Sequence, residues 1–190
     1  MENQTGKWHP RNTSSLSLNI AVALEILFLT LLGMLAIVLH ARLRIPLGIP
    51  GKHGLEFMAI LISGRMLSRH AVATSYSSLG IGLLLLFPVF GFSDPMMGFH
   101  YMIPGILLDV FFGIYTSLQK KMWFIALVSG VAYMTIPLSR LIINLFVGIS
   151  YSSFMKHGVA ATTASFFLFG LLGGLIGAGI IFTVNKIKKS

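Results

Sequence analysis

The chain has 190 residues, of which 55% are hydrophobic and only 10% charged, with a mean hydropathy of +0.86. Soluble domains are about 25% charged, so the deficit marks a chain whose solvent is lipid. The formal charge of +9 sits in loops and tails, a pattern that reports membrane orientation and not a nucleic-acid-binding face. With no cysteine, disulfides, thiolate metal sites and cysteine nucleophiles are excluded.

Residues 1–17 form a polar tail in which Trp8 is suited to a headgroup anchor, and nothing in them resembles a cleavable leader. Apolar runs long enough to cross a bilayer, roughly 20 residues each, then recur. Span one covers about Leu18 to His40 and carries Glu25. The connection Ala41 to Glu56 gathers Arg42, Arg44, Lys52, His53 and Glu56 around the prolines and glycines of Pro46, Gly48, Pro50 and Gly51. Span two, about Gly54 to Ser68, is short and ends near Arg65. Span three, about Val72 to Phe90, leads into a loop whose Asp94-Pro95 favours a turn.

Span four, about Phe99 to Leu118, holds Pro104, Gly105 and Asp109. Span five, about Trp123 to Gly148, holds Pro137, Arg140 and Asn144. A loop over 150–157 precedes span six, about Val159 to Val184. The expectation is an all-α membrane protein of six transmembrane helices. Its domain covers 18–185, with a basic tail over 186–190. Nine of the fourteen lysines and arginines collect on the side of the two termini, which places both termini in the cytoplasm of a multi-pass cell-membrane protein.

Ionisable side chains inside a bilayer cost a few kcal/mol on insertion scales, so each is a candidate for function or for an internal pair. Glu25 and Arg65 are expected at similar depths on neighbouring antiparallel helices, as an ion pair. Asp109, about ten residues into span four, is expected near the midplane, with Arg140, Asn144 or a ligand as partner. It suits either a proton-relay or ligand role or a bond between helices.

At the outer level lie Arg42, Arg44, His53, Glu56, His100, Arg140 and His157. Pro104-Gly105 and Pro137 weaken helical bonding close by, which is tolerated where backbone lines a cavity or is buried in protein. These residues predict an outward pocket lidded by 41–56, with arginines for an anionic group; the same arginines also suit lipid phosphate. In span six, Gly170/Gly174 and Gly173/Gly177 have the spacing that permits close helix approach. No catalytic or phosphate-binding motif is present. No cofactor or metal is assigned, since only a convergence of His53, His100 and His157 in space would supply ligands.

Two stretches resemble the substrate-binding S components of energy-coupling-factor (ECF) vitamin transporters, those of biotin type. Arg44-Ile-Pro-Leu-Gly-Ile-Pro50, running through Leu55 to Ser63-Gly64, is similar to their proline-rich loop and second helix. Ser93 to Phe99, with Tyr101 and Gly105, is similar to the entry to their fourth helix. Where the family carries small residues on helix one for docking, this chain offers Gly33 and Ala36. The resemblance implies a pocket built by the first outer loop and helices four to six. It also implies partners, namely a transmembrane coupling protein and ATPase subunits.

The expected function is therefore a non-enzymatic, substrate-binding subunit for energy-coupled uptake of a small vitamin-like or anionic metabolite. Its site would comprise Arg42, Arg44, His53, Glu56, His100, Asp109, Arg140 and Asn144. The alternatives are an intramembrane enzyme acting on a lipid-linked substrate and a non-catalytic accessory subunit.

Overall fold

The computed structural model describes residues 13–43, 48–87, 94 and 96–188. Among these residues the secondary structure is entirely helical: α1 (Thr13–Arg42), α2 (Gly54–Leu67), α3 (Ala73–Leu85), α4 (Met97–Ile114), α5 (Met122–Val147), α6 (Ser152–His157) and α7 (Val159–Ile187), with a 3-10 turn at Thr116–Leu118. The six longer helices fall on the six expected apolar segments. The short α6 replaces part of the loop expected over 150–157.

Helix ends differ from the apolar limits where polar groups intervene. Asp94 Oδ1 accepts the Met96 N–H at 3.0 Å, and the Asp94 carbonyl accepts the Met97 N–H, so the turn starts α4 two residues early. At the other end the Gln119 side-chain amide donates to the Phe112 carbonyl at 2.6 Å. This satisfies one of the acceptors that a helix C-terminus leaves open. Helix α4 therefore stops at Ile114 and not at Leu118.

Packing neighbours close a ring in the order α1, α2, α7, α5, α4, α3. Helix α2 also touches α3 and α5, and Leu67 is its one exposed residue. Its 14 residues span about 21 Å, short of the roughly 30 Å hydrocarbon core. A helix enclosed by protein need not present a full lipid face, so its length is compatible with its place. Two ends can be named from the connections: the loop end, with 48–53 and 148–157, and the turn end, with 68–72 and 115–121.

The exterior, more than the core, differs from that of a soluble protein. Leu24, Leu27, Phe28, Leu31 and Leu35 of α1, and Leu168, Leu172, Ile176 and Ile180 of α7, lie on the outside. Thr74, Ser77, Ser78, His100, Asp109 and Ser129 are buried. Among the described residues, four helices are long and apolar enough to cross a membrane: α1 from Asn19, α4, α5 and α7. An apolar exterior around a polar-containing core is the arrangement that lipid solvation favours.

Glycines set the closest approaches. In α7, Gly170 and Gly174 face α5 at Ser129, while Gly173 and Gly177 face α2; a Cβ on Gly177 would lie 2.5 Å from the Ala59 carbonyl oxygen. The two small-residue pairs of this helix thus serve two different partners. Gly33 of α1 meets the backbone of Ser77, and Gly80 of α3 meets the backbone of Thr30. Ala36 is fully buried. Gly33 and Ala36 are therefore spent on internal packing and not on an outward docking face.

Candidate functional site

At the loop end the helices diverge around a cavity of about 500 Å³. Its walls include Pro50 and Gly51 from the connection, Tyr101 from α4, Arg140 from α5, Tyr151 before α6 and Phe166 from α7. Gly51 adopts a left-handed φ of 78° and packs against the Phe166 ring, which brings the connection down onto α7. Pro104 and Pro137 are both buried within continuous helices. Lacking an N–H, each releases the carbonyl four residues earlier, those of His100 and Tyr133, beside the cavity.

One wall is a charged chain of contacts. Arg140 Nη2 donates to Asp94 Oδ2 at 3.3 Å, and the guanidinium lies 5.3 Å from the Tyr151 ring centre. Asp94 Oδ2 is 3.9 Å from His100 Nε2. The Ser139 hydroxyl donates to the Ile136 carbonyl at 2.9 Å and lies 2.8 Å from His100 Nδ1. With its one proton so used, Ser139 accepts from His100 Nδ1–H. The neutral imidazole then accepts from the Tyr151 hydroxyl through Nε2 at 3.1 Å. Burial first, and the Asp94 charge second, push the Tyr151 phenol above its ordinary pKa against the opposing effect of Arg140, which keeps it a donor. Arg140 Nε is buried and has no hydrogen-bond partner among the described residues.

A second group lies where α1 ends and α2 begins. The His40 and His53 rings are 4.5 Å apart, and His53 Nδ1 lies 2.5 Å from Glu56 Oε1. The Tyr101 hydroxyl is 3.4 Å from His40 Nε2. Tyr133 stacks on Phe166 at 4.9 Å and, with Phe57, forms the apolar backing of this group. Glu56 Oε2 is buried without a hydrogen-bond partner among the described residues.

The sequence-predicted residues separate into three sets. Arg140 lines the cavity, with His53, Glu56 and His100 in the networks beside it. Asn144 donates to the Ile149 carbonyl at 2.7 Å, while Gly148 at a φ of 77° closes the helix end. It shapes the loop that carries Tyr151 and does not line the cavity. Arg42 and His157 are exposed, and Arg44 lies outside the described residues. His157 does not join His53 and His100; His40 joins His53 instead.

Asp109 requires the largest correction. It sits near the turn end, where its carboxylate accepts the N–H groups of Thr74 at 3.2 Å and Ser75 at 2.6 Å. It thereby caps the first turn of α3, with Arg65 Nε at 3.5 Å. Neither Arg140 nor Asn144 is its partner. The expected Glu25–Arg65 pair is also replaced. Glu25 accepts from Ser68 Oγ at 2.6 Å and from the Arg69 N–H at 3.3 Å, with His70 Nε2 at 3.5 Å. The cause is common to both: α2 turns Arg65 toward α4, where Asp109 and the Phe112 ring, 5.2 Å away, receive it.

Sequence reasoning passed over His40, Asp94 as a charge partner, Tyr133 and Tyr151. His40 closes an apolar run, and Tyr151 stands alone in a serine-rich loop. Each carries a polar atom at a span end, the one signal available for them. No family model, curated protein or solved structure matches the chain.

Proposed function

We propose that this protein is the substrate-binding membrane subunit of an energy-coupled uptake transporter, and that the loop-end cavity receives a small anionic, vitamin-like metabolite from outside the cell. In this reading all six longer helices lie across the membrane, the short α2 and α3 within the bundle, and both termini face the cytoplasm. The expectation from the sequence that nine of the fourteen basic residues lie on the side of the termini supports that orientation.

The observation that carries the proposal is Arg140 in the cavity wall. Asp94 engages one of its nitrogens, and its buried Nε–H is left over. A buried, unmatched donor on a guanidinium is costly, and a carboxylate or phosphate oxygen would satisfy it by a charge-assisted bond. Tyr101, Tyr151 and Phe166 supply aromatic walls for an apolar or planar body. Asp94 supplies an acceptor for a donor group on the same ligand. The chain has no nucleotide-binding motif, so energy would come from a coupling protein and ATPase partners.

The test is a thermal-stability screen of the purified protein against anionic vitamins and their precursors. A ligand that binds only the folded state raises apparent stability. Stabilisation by one compound, lost in Arg140→Ala, is the expected result. A full panel without effect, with cellular uptake unchanged on deletion, removes the proposal.

A further inference from the structure

His40, His53 and Glu56 each offer a donor atom within 4.8 Å of the others. Two imidazoles and a carboxylate are the three-ligand set that leaves further coordination positions open on a first-row divalent ion. From this geometry we infer that the three residues bind one divalent transition-metal ion, of the class of Zn2+, Co2+ or Ni2+, at the edge of the loop-end cavity. The inference does not depend on the transport reading.

The donor separations are those of a site ready to close. Bonds of about 2.0–2.1 Å in a tetrahedral arrangement put ligand atoms about 3.3 Å apart. The three residues lie on the last turn of α1, at the N-cap of α2 and in its first turn, with their donor atoms within 4.8 Å of one another. His53 Nδ1 and Glu56 Oε1 are already in hydrogen-bond contact at 2.5 Å, and an ion between them would replace that bond.

The surroundings favour a cation. Glu56 Oε2 is buried with no hydrogen-bond partner among the described residues, and the Glu56 side chain is 11% exposed. A buried carboxylate with one oxygen unmatched is costly, and a coordinated ion removes the cost. The Tyr101 hydroxyl, 3.4 Å from His40 Nε2, is placed to fix the orientation of that ring, as outer-shell partners of metal-bound histidines do. His40 also lines the cavity, so an open position on the ion would face it. Nitrogen donors select against Mg2+ and Ca2+, which prefer oxygen. The ion would also staple the end of α1 to the start of α2, beside Pro50 and Gly51 of the cavity wall.

The experiment uses the full chain, purified in detergent and stripped with chelator, with Co2+ as a spectroscopic probe and Zn2+ as competitor. One Co2+ per chain is expected, with visible absorption bands of low-coordinate nitrogen and oxygen ligation that Zn2+ abolishes. His40→Ala, His53→Ala and Glu56→Gln should each weaken binding by about a hundredfold or more. His157→Ala, an exposed change on α6, should leave it intact. Where a variant fails to fold, the wild-type stoichiometry and spectrum decide. Absence of stoichiometric Co2+ in the wild type, or binding that survives His53→Ala and Glu56→Gln, would overturn the inference.

Discussion

At the turn end, Asp109 spends its carboxylate on two backbone N–H groups and on Arg65, and Arg65 also donates to the His70 carbonyl at 2.9 Å. At the loop end, Arg140 and Asp94 touch through one contact, and Arg140 Nε and Glu56 Oε2 are left over beside an open volume. Both ends bury ionised groups of opposite sign. One end closes its network onto the start of a helix, so the charges fix the α2–α3 hairpin against α4. The turn end also has a cavity of about 500 Å³ beside Arg65, whose Nε lacks a hydrogen-bond partner among the described residues. What sets the loop end apart is the unmatched carboxylate oxygen of Glu56 and the aromatic lining of Tyr101, Tyr151 and Phe166.

The contrast is broken most forcefully by removing Asp109. Asp109→Ala uncaps α3 and leaves the Arg65 charge without its carboxylate. A loss of about 3–5 kcal/mol is expected, measured by chemical unfolding in detergent, with Asp109→Asn costing less. Packing shared by both ends comes next. Gly177→Leu must push α7 from the Ala59 backbone, and about 1–3 kcal/mol of destabilisation is expected from such overpacking. Arg140→Ala should cost at most about 2 kcal/mol, less than Asp109→Ala, while abolishing ligand stabilisation. Reversal of that order would mean that the loop-end charges are the structural ones. The smallest effect belongs to Glu25→Gln, since Glu25 is partly exposed and its contacts with Ser68 and Arg69 accept a neutral amide oxygen as well. No measurable change in the unfolding midpoint is expected.

Helix positions were legible in the sequence, because apolar runs bounded by charges and prolines leave little choice of element. Their rotation was not. Helix α2 is apolar around most of its circumference, so nothing in its spacing said that Arg65 faces α4 and not Glu25. Depth was misjudged for a related reason. Counting Asp109 from a span that ran to Leu118 put it near the middle. A 3-10 turn and the Gln119 contact end α4 four residues sooner, which leaves Asp109 little more than a turn from the helix end.

Of the residues expected near one outer level, Arg140 lines the cavity, and His53, Glu56 and His100 lie in the contacts beside it. His40 was missed because it reads as the last residue of an oily run. Its importance comes from where α2 starts in space, which sets His53 and Glu56 beside it. Of the proline-rich connection, Pro50 and Gly51 are the part seen against the cavity, and Gly51 needs its positive φ to lie on Phe166.

The most direct measurement of the central claim is ligand-dependent thermal stabilisation of the wild type beside Arg140→Ala. The account predicts that an anionic metabolite raises the wild-type midpoint, and that Arg140→Ala folds with a modest loss of stability but gains nothing from the same compound. Equal stabilisation of both proteins, or none of the wild type across the panel, would contradict it.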